Sequence, residues 1–406
     1  MKQSRYNPGF RFKDGKLFIF HEEEVTVITG WPELNAVSKT ALAKRWRAYW
    51  PYFRLIQPYR RPVAPKAKTE AQQLTFDLGI GASIDPATER KRALDSFRFS
   101  FPKPIAASVE RFLCEQWAIL HLLKDDPNAV DLVSTHPAIG FLLAQHCKGQ
   151  IKGRSDLPRF SHIKQKVLAH KFGFPETDAA VNILRKVPPE SLNSRRLIQL
   201  RTALANPEIQ KNLSHLEVIN AGVIELVGDP ELWRQTAPRL LQEVAGHRAE
   251  NYRAETAESL HQILIMERTV RPGRCSTFQS RERLQKFHDE LTLEYCRRAP
   301  EEVKNCVFPR PPLPGATNCI VPLRSPADLI EEGRMQSNCV ASYAKQVEDG
   351  DIFIYRVLFP ERATLSIVRH DHGTWELGEL KAAGNARVSA ATERMVENWL
   401  AQFFNT

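Results

Sequence analysis

The sequence predicts an α+β protein that is predominantly α-helical. Its parts are a small α+β amino-terminal piece, a helical middle domain and a carboxy-terminal α–α–β–β–β–α domain with a three-stranded antiparallel sheet. Three observations predict this. Apolar residues recur with helical period almost without a break from about residue 104 to 300. A proline-rich joint, "FPRPPLPG", closes that stretch at 308–315. Beyond it, runs of β-branched and aromatic residues alternate with turn residues three times in succession. The expected division is 1–60 (basic α+β region), 61–100 (proline-rich basic linker), 101–307 (helical domain) and 316–406 (carboxy-terminal domain).

In the amino-terminal region "KLFIFHEE" and "EVTVITG" read as short strands, and "NAVSKTALAKRWRAYW" reads as a helix closed by Pro51. On that helix Leu42, Trp46 and Tyr49 fall at i, i+4 and i+7 and are expected to face a core, with Lys44, Arg45 and Arg47 on other faces. The stretch "RLIQPYRRPVAPKAKTEAQQ" mixes proline with positive charge and has no period, as expected of a linker or arm. In the helical domain Pro175 is expected to start a helix that Pro188 and Pro189 end. In the last domain "SPADLIEEGRMQ" and "NCVASYAKQVEDG" read as two short helices. "DIFIYRVLF", "ATLSIVRH" and "TWELGEL" follow as strands, and "SAATERMVENWLAQF" is an amphipathic closing helix.

Composition bounds the function. Of 406 residues, 42% are apolar and 26% charged, which is ordinary for a globular chain. The longest apolar run is Ala138–Ala144, so no segment can span a bilayer and no membrane insertion is expected. "MKQSRYNPGFRF" lacks the apolar stretch of a signal peptide, which places the chain in the cytoplasm. The seven cysteines include no CxxC pair, so neither a disulfide framework nor a zinc-finger spacing is present. The net charge of +10 is uneven, because residues 1–70 hold fourteen Lys/Arg against six Asp/Glu. A basic region of this kind fits nucleic acid, an anionic surface or an acidic protein. Lys44, Arg45, Arg47, Arg60, Arg61, Lys66 and Lys68, interleaved with Tyr52, Phe53 and Tyr59, form the expected nucleic-acid-binding set. Cations for phosphates and rings for bases suit a single strand, so single-stranded DNA is the favoured nucleic acid. No GxxxxGK[ST], GxGxxG or HExxH motif occurs, and neither a cofactor nor a metal is expected.

The residues "EEGRMQSNCVASYAKQVEDGDIFIYRV", then "RATLSIV", then "TWELGELKAAGNARVS" resemble the signature of the PcfJ-like family. "HPAIGFLLA", "FGFPETDAAVNILRKV" and "LQKFHDEL" are similar to the family's helical middle. The resemblance implies a factor encoded on mobile elements and associated with conjugative plasmid transfer, with a relaxase or a coupling ATPase as partner. Two departures stand out. Asn338 occupies the position where the family commonly has His, and Glu379 the position where it often has Gln.

Cys339 is the residue on which an enzymatic reading turns. Ser337 or Asn338 is a natural N-cap, which would put Cys339 in the first turn of a helix, where backbone N–H groups favour a thiolate. Such a nucleophile needs a positioned base, and His370 and His372, at the end of the second strand, are the histidines that could approach it. A buried Cys339–Tyr343 packing pair explains the same spacing. Glu379, Lys381 and Asn385, with Cys339 and Tyr343, would line a polar pocket; in the bland reading they are a cross-strand ion pair and a turn. Glu376 and Glu379 point to opposite faces of a regular strand. His288 and Asp289 are adjacent on a helix and do not form an i, i+4 metal pair.

The resulting expectation is a non-enzymatic cytoplasmic adaptor that binds nucleic acid and a protein partner. One alternative is a nuclease-like or thiol-dependent effector enzyme with its site around Cys339. Another is a pure protein–protein interaction module.

Overall fold

The computed structural model describes residues 9–21, 23–58, 86–148, 163–247, 250–298, 301–316, 319–369 and 374–404. The protein is α+β and mostly helical, with two antiparallel sheets. It divides into two compact units, Met1–Gly228 and Asp229–Thr406.

The first unit opens with a five-stranded meander: β1 (Gly9–Lys13), β2 (Lys16–Phe20), β3 (Glu24–Thr29), β4 (Asn35–Thr40) and β5 (Arg47–Ala48). Asp14 and Gly15 join β1 to β2 in a two-residue turn with both φ angles positive, which matches the right-handed strand twist. The alternation of side chains gives the sheet two unlike faces. One carries Leu17, Ile19, Ile28 and Ala36, all buried. Helix α1 (Pro86–Phe99) packs there, with Phe97 fully buried and its ring 6.2 Å from Phe12. Residues 86–99 of the expected linker are therefore structured, while Tyr59, Arg60, Arg61, Lys66 and Lys68 lie outside the described residues.

The helix expected over 35–50 does not form. Asn35–Thr40 pairs along its whole length with β3, and Val37 and Ser38 pair in turn with Ala48 and Arg47. Valine, serine and threonine at positions 37–40 suit a pleated surface, and the edge of β3 offers backbone partners that a helix would forgo. Leu42 and Trp46, expected in a core, are 81% and 48% exposed on the turn between β4 and β5.

The other regular elements among the described residues of this unit are short helices. Several start on a side-chain cap, as at Thr177, Asn193 and Asn206, whose oxygens accept backbone N–H groups. The helix expected from Pro175 starts at Asp178, after the Thr177 cap, and ends at Arg185. Gln116 opens α2 (Gln116–Asp125) and ties it to the end of the β region. Its amide accepts from Ile56 N and donates to Ile56 O, both at 2.8 Å.

Farther along α2, His121 stacks on Trp50 (6.1 Å, 17°) and meets Trp117 edge-on (5.1 Å). Burial in this aromatic slot, aided by the charge of Lys124, pushes the imidazole pKa down to about 4. A depressed histidine binds fewer protons folded than unfolded between pH 4 and 6.5, so its contribution is complete above 6.5 and lost as pH falls toward 4. Denaturation between pH 7 and 4.5 is expected to show about 2 kcal/mol of stability lost through this group, and His121→Gln to remove that part of the slope.

In the second unit, α3 (Glu250–Val270) and α4 (Arg281–Arg298) pack side by side. Leu260, Ile263 and Met266 from one and Leu284, Leu291 and Tyr295 from the other are buried. Helix α5 (Pro326–Gln336) starts on a capping box between Ser325 and Asp328. A four-residue 3-10 turn, Val340–Tyr343, leads into α6 (Ala344–Asp349). The three expected strands are present as β7 (Ile352–Val357), β8 (Ala363–Arg369) and β9 (Trp375–Ala382). A fourth, β6 (Ile320–Pro322), adds to the β7 edge. Three residues ending in proline are too few to show alternation, so only the pairing of Ile320, Val321 and Pro322 with Val357, Arg356 and Tyr355 reveals a strand. Tyr355 faces the closing helix α7 (Ala390–Phe404), its ring 5.3 Å from Trp399. The opposite sheet face, with Ile354, Arg356, Thr364 and Ser366, mixes apolar and polar side chains and supports the candidate site.

Candidate functional site

Cys339 sits at the junction between α5 and the 3-10 turn. Ser337 ends α5 in a left-handed conformation (φ 50°), and Asn338 N donates back to Gly333 O. The Asn338 side chain is used at both ends, accepting from Val340 N at 3.2 Å and donating to Thr364 Oγ1 at 2.9 Å. Thr364 donates to Glu332 Oε1 (3.0 Å), and the other oxygen of Glu332 holds Arg356 Nε at 2.6 Å and Arg362 Nη2 at 2.5 Å. Glu332 is wholly buried. A polar chain four residues deep thus fixes the backbone on which Cys339 rides. The expected helix begins as this 3-10 turn and runs on directly into α6, with Cys339 as its cap and not a residue of its first turn.

The thiol points at Gln262 of α3. Cys339 Sγ donates to Gln262 Oε1 at 2.9 Å, and His288 Nε2, from α4, reaches the same oxygen at 2.7 Å. The amide nitrogen of Gln262 donates to Glu258 Oε1 (3.0 Å) and to the Tyr343 hydroxyl, which itself donates to Glu258 (3.3 Å). Turning the amide over would set its oxygen against the Glu258 carboxylate, so the neighbours determine its orientation. The same logic puts a proton on His288 Nε2. Cys339 is 6% exposed, and Gln262, His288 and Tyr343 are also buried. Burial, reinforced by Cys339, Glu258 and Glu379, holds the Tyr343 phenol well above its usual range, so it stays protonated.

The third wall comes from β9. Its register with β8 slips between Leu365 and Ile367, so that Gly378 and Glu379 together oppose Ser366. A Cβ on Gly378 would lie 2.8 Å from Ser366 Oγ and 3.0 Å from Val368, which explains the glycine there. Glu379 N donates to Ser366 Oγ at 2.8 Å. The bulge also overturns the expectation that Glu376 and Glu379 point to opposite faces. Glu376 pairs with Val368 and Lys381 with Thr364, on one face of the sheet, and Glu379 lines the same cleft as Lys381. Beyond β9, Gly384 (φ 63°) and Asn385 (φ 58°) turn the chain back.

The structure brings together the five residues singled out in the carboxy-terminal sequence. Cys339, Glu379, Lys381 and Asn385 line a cleft of about 190 Å³, and Tyr343 lines a smaller recess with the same four. The opposite wall, with Glu258, Gln262, Arg281 and His288, was not anticipated. Its signal in the sequence was faint: Glu258 and Gln262 are polar residues four apart that interrupt the apolar face of a helix. His288 and Asp289 both line the cleft, with the histidine inside and the aspartate half exposed, 3.5 Å away. His370 and His372 lie outside the described residues. Among the described residues, no cluster of three or more His, Cys, Asp or Glu could hold a metal ion.

All of these cleft residues fall between 251 and 393, the residues that match the family model described as PcfJ-like protein. The cleft belongs to a PcfJ-like segment. No curated protein and no solved structure matches the chain. Within the PcfJ-like segment, Asn338 is integral to the scaffold, with each end of its amide bonded.

The chemistry open to this cleft follows from who holds which proton. The Cys339 thiol donates to a neutral amide oxygen, and His288 donates to that same oxygen, so His288 is not placed to take the proton from the sulfur. The cleft is a mixed-charge polar surface, with Arg281 and Lys381 facing Glu258 and Glu379. Such a surface is suited to receiving a polar side chain.

On the amino-terminal unit, Lys44, Arg45 and Arg47 are exposed on and beside the turn that leads into β5. Trp46 is exposed among them, and Tyr52, five residues past Arg47, is 72% exposed. No helix of the described residues is long and apolar enough to cross a membrane.

Proposed function

We propose that this protein is a cytoplasmic adaptor that holds nucleic acid through its amino-terminal unit and receives a partner protein at the cleft of its PcfJ-like segment. The observation that supports this best is the turn after β4, where Lys44, Arg45 and Arg47 surround an exposed Trp46. A large aromatic ring left in water among cations is costly for a structural surface and useful for a strand of nucleic acid, which needs cations at its phosphates and rings against its bases. Single-stranded DNA is the favoured ligand. The family resemblance points to a relaxase or a coupling ATPase as that partner.

Fluorescence anisotropy of labelled single- and double-stranded oligonucleotides at two salt concentrations tests the reading. Binding is expected at low salt and should weaken as salt rises. Replacing Lys44, Arg45 and Arg47 with glutamine should lower the salt slope for a single strand by about 2. No binding at low salt would sink the proposal and leave the protein-interaction module in its place.

A second reading, a thiol-dependent or nuclease-like effector, is favoured by the seating of Cys339 and His288 in one polar cleft. Oligonucleotides returned cut by the wild type and intact by Cys339→Ser would put that reading first.

A further inference from the structure

The proline-rich joint "FPRPPLPG" is held on the carboxy-terminal unit as a ridge. Pro309, Pro311, Pro312 and Pro314 fix their own φ and press the residue before each toward an extended backbone. One side chain of β7 grips the ridge near its end. Leu313 N donates to the Tyr355 hydroxyl at 3.1 Å, and that hydroxyl donates to Leu313 O at 2.9 Å. Leu313 is buried, while Pro309, Arg310 and Pro314 are exposed. A partner meeting a segment held in this way has little backbone entropy left to remove.

Two grooves run beside the ridge. One, of about 780 Å³, is lined by the ridge itself together with Pro322 and Arg324. The other, of about 610 Å³, lies against α7 and is lined by Arg394, Met395, Trp399 and Phe403, and by Cys319. Gly315 lines both, so they adjoin. The turn after β7 is tied to the second groove at two points. Leu358 N donates to Cys319 O at 2.8 Å, and the Glu361 carboxylate accepts from Ser389 N and Thr392 Oγ1 at the start of α7, both at 2.7 Å. On that turn Leu358 is exposed, and Phe359 is 63% exposed.

Two properties of this surface agree. It is apolar beyond what a solvated surface needs, with a leucine and a phenylalanine in water beside a groove of methionine, tryptophan and proline, and continuous surfaces of that kind mark contact with another protein. Its charge also has one sign. Arg310, Arg324 and Arg394 are exposed, and among the described residues no carboxylate lines either groove. Asp328 is engaged by the backbone N–H groups of Arg324 and Ser325, and Glu393 and Glu397, although on α7, line neither groove. A second copy of the chain would bring these arginines toward their like. Nucleic acid bases would meet prolines, with the Trp399 ring already packed against Tyr355 and Phe403 at 5.3 and 5.7 Å.

We infer that this surface is a second docking site for protein, and that its occupant is an acidic peptide segment carrying apolar side chains. Its carboxylates meet Arg310, Arg324 and Arg394, and its apolar residues cover Phe359 and the groove along α7. The site depends neither on the polar cleft nor on nucleic-acid binding, and stands if either of those fails.

The test selects binders of the full chain from a random peptide library displayed on phage. Each selected peptide, synthesised with a fluorescent label, is then measured by anisotropy. Selected peptides are expected to combine Asp or Glu with Leu, Phe or Trp and to bind more weakly as salt rises. Phe359→Ser, and separately Arg310→Gln with Arg324→Gln and Arg394→Gln, alter only exposed side chains, and circular dichroism checks that each variant keeps the fold. Each is expected to weaken those peptides about tenfold or more, while Lys381→Gln in the polar cleft leaves their affinity unchanged. Peptides that are lost with Lys381→Gln and indifferent to the groove variants belong to the cleft and overturn the inference. A library that yields no binder, or binders without acidic residues, overturns it too. Acidic peptides that keep their affinity when their apolar residues become serine would reduce the site to bare charge and overturn it as well. A labelled single-stranded oligonucleotide that binds the wild type and displaces the peptides from it would give the surface to nucleic acid instead.

Discussion

Replacing Glu332 with alanine is expected to lower the unfolding free energy by about 3–5 kcal/mol, the usual cost of removing one partner from a buried ion pair. The reason is the company this carboxylate keeps. It has no exposure to solvent, yet it pairs with both Arg356 and Arg362 and accepts from Thr364, while Glu331 adds a second carboxylate 3.5 Å from Arg356. Without it Arg362 loses its buried carboxylate and Arg356 keeps only the more exposed Glu331, and Thr364 loses the acceptor that orients it toward Asn338. Glu332→Gln keeps the shape and one acceptor oxygen but not the charge, and should fall between the wild type and alanine. Guanidinium denaturation followed by tryptophan fluorescence, with Trp399 packed on the same sheet, reads the effect. An alanine variant within about 1 kcal/mol of wild type would mean that solvent reaches the arginines and that this network does not hold the Cys339 backbone in place.

Gln262→Leu carries the second large effect, about 2–4 kcal/mol. Leucine fills much the same space but leaves the Cys339 thiol, the His288 Nε2–H, the Tyr343 hydroxyl and Glu258 short of a partner inside a buried cluster. A double-mutant cycle with Cys339→Ala separates the hub from its spokes: a coupling energy of about 1 kcal/mol is expected between the two positions. Additive effects would show that the thiol's contact with the amide contributes nothing, and would return Cys339 to being a small buried residue.

The expectation for the carboxy-terminal sheet survived because its strands announce themselves locally. "DIFIYRV" and "ATLSIVR" are rich in β-branched and aromatic residues between clear turns, and they pair rung for rung from Ile352–Val368 to Val357–Ala363. The expected helix over 35–50 failed for a related reason. Its i, i+4, i+7 pattern involved only Leu42, Trp46 and Tyr49, and three apolar residues cannot outweigh a neighbouring strand that needs a partner. The polar pocket was half legible. Cys339, Tyr343, Glu379, Lys381 and Asn385 lie within one continuous motif, so their proximity could be read along the chain. Gln262, Glu258 and His288 come from helices whose sequence shows only amphipathic periodicity, and nothing local marks a glutamine as the hub.

The sequence by itself determined the mostly helical α+β class, three of the four carboxy-terminal strands with the helices around them but not β6, the basic amino terminus and the PcfJ-like motif. Each of these depends on residues within a few positions of one another, where side-chain period, turn chemistry and charge act directly. Only the tertiary structure decided that Cys339 donates its proton to Gln262, 77 residues away, and that a bulge at Gly378–Glu379 turns Glu379 into the cleft. It also decided that the Tyr355 hydroxyl grips the proline-rich joint at Leu313, 42 residues away. Hydrogen-bond partners and sheet registers of that kind are chosen by competition among distant groups for burial and satisfied polar contacts, and a local pattern carries no record of which distant group wins.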